Sequence, residues 1–342
     1  MNILLTSVGR RAYLVKFFQE VVRPDGKLFV CNSDPYSVAF QYADQAVVSP
    51  LIYDEEYIPF LINYCQTNRI DLLISLFDID LLVLSKNKGK FLEIGTKVIV
   101  SDEDIIRICN DKWKTYLFLS QNGFHTPQTF LTLEDALAAI NEGTLSFPVI
   151  VKPRFGCGSL AVSIAEDEEE LRYCFRRNKD RIQKTYLKYE SAAEEDNILV
   201  QEMLCGQEYG ADIINDLTGQ YQLSVVRKKI AMRAGETDIA QIVSEPAIEE
   251  NLERLGKLTH HIANMDCDLF LLNGQPYILE MNARFGGGYP FSHIAGCNLP
   301  KAIVKWAKGE SVPDEMLKAR IGFTGFKELI ITEAISNISH DH

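Results

Sequence analysis

The chain has 342 residues and a formal net charge of -12, an acidic balance that argues against a general nucleic-acid binder. Its 46% hydrophobic and 24% charged residues are typical of a soluble globular protein. No apolar stretch reaches the roughly 18 residues that a membrane-spanning helix needs. The eight cysteines form no CxxC pair, so neither a disulfide scaffold nor a zinc site is expected, and a cytoplasmic location is predicted.

Residues 1 to about 110 alternate short apolar runs with amphipathic segments. The strands predicted there are NILLTS, LFVCNS, AVVS, DLLISL and KVIVS, and the helices lie near 10–22, 54–68 and 78–93. This alternation is typical of a parallel sheet with helices on its faces. The turn SVGRR after the first strand has a single glycine, so it does not support a dinucleotide site.

The pattern changes after residue 110, where we place a domain boundary. Residues 111–122 are predicted to form a helix that ends before Gly123. The strand FPVIVKP (147–153) is followed by the glycine-containing turn RFGCGSLAV. A charged helix is predicted at 166–180 and an irregular, mobile loop at 184–196.

The remaining elements are predominantly antiparallel strands. The predicted strands are NILVQEML, EYGADIIN, YQLSVVRKKI and the two halves of CDLFLLNGQPYILEMN, which turn at Asn273-Gly274, a strong hairpin signal. AMRAGETD (231–238) is predicted to be a polar loop. Helices are predicted at 246–264 and 299–308, and the first of these would hold two histidines, His260 and His261, that pack or face solvent.

Several polar side chains gather at one end of the predicted hairpin. Glu280, Asn282 and Arg284 alternate along one strand, so they point to the same face. Asp268 opens the other strand near the same end, and Asp266 lies on its face, so the choice between these two acids stays open. Two carboxylates and an amide oxygen suit Mg²⁺, which shares ligands with substrate phosphates. The alternative is a salt-bridged strand end without a ligand.

A second feature is the glycine-containing turn after residue 153. Lys152 ends a buried strand, and Gly156, Gly158 and Ser159 follow. Backbone N–H groups of such a turn can approach phosphate oxygens, and a lysine can reach the same anion as a point charge. The alternative is an ordinary hairpin turn.

The segment VQEMLCGQEYGADI offers a third group of candidate residues. Met203 and Leu204 could pack against an adenine, and Glu202 could accept a hydrogen bond from its amino group. Glu208 could hold the ribose hydroxyls. The alternative is that both glutamates face solvent.

The fourth feature is a basic patch in VVRKKIAMRAGETD. Its members are Arg227, Lys228, Lys229 and Arg233, and on the strand Lys228 points away from its two neighbours. Some of these side chains could face an anion. The alternative is a solvated charge run.

Taken in chain order, these features resemble the ATP-grasp superfamily over about residues 1–310. They are Lys112, the turn after Lys152, the glutamates at 202 and 208, and the motif DLFLLNGQPYILEMNARFGGG. The branch it looks most like is the carbamoyl-phosphate-synthase-like and carboxylate–amine ligase branch. The resemblance implies an α/β and α+β fold, an ATP-grasp fold with an N-terminal Rossmann-like parallel-sheet domain. Its implied parts are an N-terminal domain (1–110), a small lid subdomain (111–200), a C-terminal subdomain with the metal site (201–325) and a tail (326–342).

The resemblance also implies a role for each matching residue. The phosphates would be bound by Lys112, Lys152 and the turn 154–160 with Gly156, Gly158 and Ser159. Adenine and ribose would be bound by Glu202, Met203, Leu204 and Glu208. Mg²⁺ would be bound by Asp268, Glu280 and Asn282. The implied catalytic residues are Arg284, Lys228 and Arg233. Which of the four basic residues of the patch contacts phosphate stays open. The three glycines at 286–288 are expected to let substrate approach the backbone.

The implied activity is that of an ATP-dependent ligase, with ATP and Mg²⁺, or Mn²⁺ in its place, as cofactors. ATP would phosphorylate a carboxylate to an acyl phosphate, and an amine would displace the phosphate. A carbamoyl-phosphate-type or other kinase-like reaction that releases its phosphorylated product is one alternative, and a non-catalytic nucleotide-binding module is another. The expected partners are a small-molecule carboxylate and an amine, with no nucleic acid or membrane, and a homodimer is left open.

Overall fold

The computed structural model describes residues 1–156, 158, 160–192 and 194–333. Its N-terminal part is built on a five-stranded parallel sheet in the order β3-β2-β1-β4-β5. Its strands are β1 (Ile3–Thr6), β2 (Leu28–Asn32), β3 (Gln45–Val48), β4 (Leu72–Ser75) and β5 (Lys97–Ile99). Its helices are α1 (Ala12–Val22), α2 (Tyr57–Asn68), α3 (Asp78–Glu93) and α4 (Glu103–Asn110). Successive residues of β1 enter two different cores, because helices cover both faces of the sheet. The predicted parallel sheet is confirmed, and α4 was not predicted.

The next part holds a four-stranded antiparallel sheet in the order β6-β9-β7-β8. Helix α5 (Lys112–Gln121) leads into it, with Asp111 capping the helix by accepting hydrogen bonds from the N–H groups of Trp113 and Lys114. The strands are β6 (Thr129–Phe130), β7 (Val149–Pro153), β8 (Ser163–Ala165) and β9 (Ile198–Glu202), and the helices are α6 (Leu133–Asn141), α7 (Glu168–Gln183) and α8 (Leu187–Glu190). Helix α8 lies inside the stretch 184–196 that was predicted to be irregular.

The C-terminal part is built on a six-stranded antiparallel sheet in the order β14-β13-β10-β11-β12-β15. The strands are β10 (Gln207–Asn215), β11 (Tyr221–Arg233), β12 (Glu236–Val243), β13 (Asn264–Leu272), β14 (Gln275–Asn282) and β15 (Thr324–Phe326). The helices are α9 (Pro246–Thr259), α10 (Tyr289–Ala295) and α11 (Leu299–Ala307). The tail was predicted at 326–342. Its first residue, Phe326, closes β15, and its part from 334 onward lies outside the described residues.

Two predictions for this sheet were wrong. AMRAGETD is not a loop: β11 and β12 extend into it and turn at Ala234 and Gly235, which have φ of 51° and 80°. Its polar residues resemble a loop because this end of the hairpin is largely exposed. Helix α9 stops before the two histidines, with His260 in the left-handed region at φ 47°.

The hairpin that was predicted at Asn273-Gly274 is confirmed. Both turn residues have positive φ, 49° and 80°, and β13 pairs with β14 so that Asp268 faces Glu280 and Asp266 faces Asn282. The polar ends of the two strands therefore meet.

One hydrophobic core connects the N-terminal domain with the base of this hairpin. It contains Leu84 and Ile106 from α3 and α4 together with Met281 and Ala283 beside the polar strand end. A close-packed core resists displacement of its members, so the hairpin end is held rigidly against the N-terminal domain. None of the helices in the described ranges combines the length and hydrophobicity needed to cross a membrane.

Candidate active site

Two adjoining cavities open on the six-stranded sheet. The first lies between this sheet and the four-stranded sheet, and the second is bordered by Arg11 of the N-terminal domain and by Gly287 and Gly288. The first has a volume of about 350 Å³ and the second about 200 Å³. Residues that line both cavities are Gly158, Lys229, Met232, Gly235, Asp268 and Glu280. The two spaces are therefore parts of one site whose junction carries a lysine and two carboxylates.

The first cavity collects most of the predicted cofactor-binding residues. Its lining includes Lys112, Lys152, Gly156, Gly158, Glu202, Met203, Leu204 and Glu208, while Ser159 lies outside the described residues. The walls between them are apolar, with Ile150, Leu160, Val162, Phe270 and Leu279. An apolar slot with a few polar groups at its ends suits a planar base carrying a phosphorylated sugar.

Lys152 is a buried cation without a carboxylate partner in the described part of the chain. Its Nζ donates a 2.7 Å hydrogen bond to the neutral amide oxygen of Gln201, and the residue is only 5% exposed. Burial lowers the pKa of Lys152 to about 8, with Glu280 opposing this shift and Lys112 adding to it. A desolvated lysine of this kind favours an anion arriving in the cavity.

Lys229 is in the opposite situation. Its Nζ lies 2.6 Å from an oxygen of Glu208 and 2.7 Å from one of Asp268. Burial lowers the pKa of Lys229, but the two carboxylates outweigh burial and raise it above its ordinary value. Burial also raises the pKa of Asp268, against the pull of Lys229. This lysine therefore ties the predicted ribose carboxylate to the predicted metal carboxylate.

Glu202 is held at the mouth of the first cavity by the chain before β6. Its carboxylate accepts a 3.0 Å hydrogen bond from the N–H of Gln128, and its own N–H donates to the carbonyl oxygen of Gln128 at 2.8 Å. One carboxylate oxygen is thereby oriented by the backbone. The other can accept from a ligand amino group.

The donor set at the junction of the cavities fits Mg²⁺. Asp268, Glu280 and Asn282 come from paired positions of β13 and β14, and all three line the second cavity. No group of three or more His, Cys, Asp or Glu side chains poised to hold a metal ion occurs within the described ranges. Two carboxylates and one amide leave coordination positions for water and phosphate oxygens, which is the way proteins commonly bind Mg²⁺.

The second cavity is lined by arginines that buried acids hold in place. Asp266 bridges two of them, with Oδ2 3.0 Å from Nη1 of Arg284 and Oδ1 3.4 Å from Nη2 of Arg227. Asp78, at the start of α3, lies 3.0 Å from Nε of Arg284, and Asp212 pairs with Arg227. Asp266 is thus paired with two guanidinium groups, as Asp268 is paired with Lys229, but Asp266 lines only the second cavity, whereas Asp268 and Glu280 line both.

Two of the three glycines after β14 lie against charged side chains of the protein. A Cβ on Gly286 would overlap the carboxylate of Asp266, and a Cβ on Gly288 would lie 2.7 Å from Nε of Arg227. Gly287 has only ordinary contacts, with 3.8 Å to Nζ of Lys327. Gly286 and Gly288 therefore make room for side chains of the protein itself. Gly287 and Gly288 also line the second cavity, so the approach of substrate to this backbone stays a prediction.

The structure does not bring two of the three predicted catalytic residues into either cavity. Lys228 points to the face of β11 opposite its neighbours, and Arg233 is exposed and pairs with Asp238 near the turn of the hairpin. From the basic patch, the cavities receive Lys229 and Arg227 instead. Strand alternation in the sequence predicts that Lys228 points away from Arg227 and Lys229. It does not predict which of the two faces points into the cavities.

Sequence reasoning missed the contributions of the N-terminal domain. Arg11, just before α1, lines the second cavity and donates a 2.5 Å hydrogen bond to the carbonyl oxygen of Phe285. Asp78 supports Arg284 from the same domain. The double arginine in SVGRR was the available signal for Arg11, but nothing in the sequence joins it to residues 274 positions away.

The chain belongs to the ATP-grasp family. Residues 109–288, more than half of the chain, match the family model of the ATP-grasp domain, and residues 3–99 match that of a PylC-like N-terminal domain. The family predicted from the sequence is thereby confirmed.

Solved structures show the same fold at low identity. N5-carboxyaminoimidazole synthetase from Staphylococcus aureus is 16% identical with a TM-score of 0.68, over 92% of this chain and 78% of that chain. The biotin carboxylase domain of 2-oxoglutarate carboxylase from Hydrogenobacter thermophilus is 15% identical with a TM-score of 0.72, over 94% and 73%. L-amino acid ligase from Bacillus licheniformis is 19% identical with a TM-score of 0.65, over 93% and 77%. At these identities the likeness concerns the fold.

Proposed function

We propose that this protein is an ATP-dependent carboxylate–amine ligase that activates a small-molecule carboxylate as an acyl phosphate and passes the acyl group to an amine. Lys152 is the observation that carries this proposal. A buried lysine bonded to a neutral amide, in a cavity that ends at two carboxylates, is arranged for a phosphate chain with its metal.

The first cavity is assigned to the nucleotide. Apolar walls would enclose the base, Glu202 and the backbone near Leu204 would bind its polar edge, and Glu208 would face the ribose. Lys112 and Lys152 would neutralise phosphate oxygens. Mg²⁺, when bound by Asp268, Glu280 and Asn282, would supply Lewis-acid polarisation of the phosphates.

The second cavity is assigned to the carboxylate. It is lined by four basic side chains and four acidic ones, and its acids include two of the proposed metal ligands, Asp268 and Glu280. A divalent cation would therefore leave the cavity with an excess of positive charge, which favours an anionic substrate. Its volume of about 200 Å³ limits the buried part of that substrate to a small molecule.

The chemistry then needs positioning and charge neutralisation more than covalent help from the protein. A carboxylate oxygen attacks the γ-phosphorus and ADP leaves; the amine nitrogen attacks the acyl carbon and phosphate leaves. Arg284 lines the second cavity, where Asp78 and Asp266 hold its guanidinium. Its fixed guanidinium would stabilise charge on the transferred phosphoryl group at the moment of transfer.

The test is ADP release from ATP with panels of carboxylates, each assayed alone and with paired amines, in Mg²⁺ and in Mn²⁺. A ligase releases ADP and phosphate and forms an amide only when both substrates are present, and hydroxylamine traps the acyl phosphate as a hydroxamate. Release of a stable phosphorylated product would favour the kinase-like alternative. Nucleotide binding without turnover in any combination would favour the binding module.

Two variants serve as controls in this screen. Glu280→Gln and Asn282→Ala alter the proposed metal ligands at the paired hairpin end and should lose Mg²⁺-dependent ADP release while the far-ultraviolet circular dichroism stays that of the wild type. Wild-type turnover in either variant would refute the metal assignment.

A further inference from the structure

The short helix α8 lies between the N-terminal domain and the glycine-containing turn. On one side, the hydroxyl of Tyr53 donates a 2.9 Å hydrogen bond to Oε1 of Glu190. The rings of Tyr53 and Tyr189 stack with their centroids 4.5 Å apart. Tyr53 belongs to the connection between β3 and α2, so α8 is docked on the parallel-sheet domain.

The other side of α8 packs against the turn that follows β7. Gly156 has φ of 92°, and a Cβ there would overlap Cδ2 of Leu187 and lie 3.4 Å from the hydroxyl of Tyr186. The carbonyl oxygen of Gly156 accepts a hydrogen bond from Nζ of Lys112. Gly156, at the start of the turn, is therefore held between a proposed phosphate-binding lysine and the back of α8.

The same helix reaches the metal end of the site. Glu190 lines a small cavity of about 20 Å³ together with Lys112, Gly156, Glu280 and Asn282. Its carboxylate is thus placed where it would be attracted to the lysine, and the hydroxyl of Tyr53 provides a competing, fixed partner.

We propose that α8 is a strap between the N-terminal domain and the phosphate-binding turn, and that Tyr53 and Glu190 are positioning residues that hold this turn over the nucleotide without touching it. This inference rests on the proposed nucleotide-binding function. The strap explains how Gly156, a residue type that loses much conformational freedom on ordering, can be positioned before the phosphates arrive.

The exposure of the contact indicates that it acts on the turn more than on folding. Tyr53 is 39% exposed and Tyr189 is 51% exposed, so little apolar surface is buried between them. A contact of this size can open and close without unfolding the subdomain. Breaking it should therefore change nucleotide binding while the melting temperature stays the same.

The experiment compares Tyr53→Phe, Glu190→Gln and the double variant with the wild-type enzyme. The loss of one hydrogen bond to a charged acceptor should raise the KM for ATP in Tyr53→Phe about three- to tenfold, with kcat and melting temperature little changed. Glu190→Gln can still accept the bond and should show a smaller change. The double variant should be no worse than Tyr53→Phe, because Glu190→Gln acts only through the contact that Tyr53→Phe already removes. Tyr36→Phe is the matched control, since Tyr36 is in the same domain and 86% exposed.

Amide hydrogen exchange of a peptide covering the turn gives a second readout that does not require nucleotide. Exchange should be faster in Tyr53→Phe than in the wild type and Tyr36→Phe. Wild-type protein that fails to bind ATP would refute the proposed function, while faster exchange in Tyr53→Phe would still support the strap. Unchanged exchange and KM in Tyr53→Phe would refute the strap, and so would a changed Mg²⁺ requirement confined to Glu190→Gln, which would place Glu190 at the metal.

Discussion

The lowered pKa of the buried Lys152 leads to a quantitative prediction for the pH dependence of ATP binding. Because burial lowers the pKa of Lys152 to about 8, the free protein loses this proton as the pH rises above 8. A lysine that holds phosphate must be protonated, so binding takes up a proton in this range. The affinity for ATP should therefore fall by up to about tenfold for each pH unit above 8.

The same shift has a consequence for stability. Between the folded value of about 8 and the ordinary value of 10.5, the unfolded chain holds the proton and the folded chain does not. The free energy of unfolding must therefore rise with pH over this window, by about 3 kcal/mol for this one group. Lys152→Arg stays charged throughout, so it should lose both effects and be less stable than the wild type at high pH.

Isothermal titration calorimetry with a non-hydrolysable ATP analogue measures both the affinity and the proton uptake. The titrations run from pH 7 to 9.5 in two buffers of different ionisation enthalpy. Wild-type protein should show the break near pH 8 and uptake approaching one proton above it. The Lys152→Arg variant should show neither. A wild-type affinity that is constant over this range, or an identical slope in the variant, would show that Lys152 does not bind the phosphates.

Three further predictions concern the junction and the second cavity. Lys229→Met should abolish turnover and cost about 1–3 kcal/mol of stability at pH 8, because it leaves the partly exposed carboxylates of Glu208 and Asp268 unpaired. Lys228→Met, on the opposite face, should behave as wild type in the same melting and ADP-release assays, and a larger loss there would support the original prediction for Lys228. Gly286→Ala should lower the free energy of unfolding by about 1–3 kcal/mol through overlap with Asp266, and it should also lower turnover. Gly287→Ala should remain close to wild type in denaturant unfolding. Equal effects of the two changes would contradict the packing role of Gly286. Arg284→Lys should depress single-turnover product formation by a few kcal/mol of barrier with ATP affinity unchanged, and weakened ATP binding with normal turnover at saturation would make Arg284 a binding residue only.

The elements of the site that depend on neighbouring residues were predictable from the sequence. Asn273-Gly274 favours a tight hairpin turn by its backbone preferences alone, and the alternation of Glu280, Asn282 and Arg284 follows from strand geometry. Together they bring Asp268 and Glu280 to the same end of the hairpin. That Asp268 pairs with Glu280 depends on an irregularity between Asp268 and Leu269, which the turn does not specify. The parallel sheet of the N-terminal domain was predictable for the same reason, since its apolar periods are local.

Only the tertiary structure decided which charges face the cavities and what partners they have. Alternation separates Lys228 from Lys229, but which of them is inward depends on the packing of β11 in the sheet and on the irregularity in its pairing between Lys229 and Ala231. Arg11 reaches the second cavity from the other end of the chain, and Gly286 is required by a carboxylate on another strand. Such contacts depend on how separate elements pack in three dimensions, and a single sequence carries no local signal for them because the partners are distant along the chain.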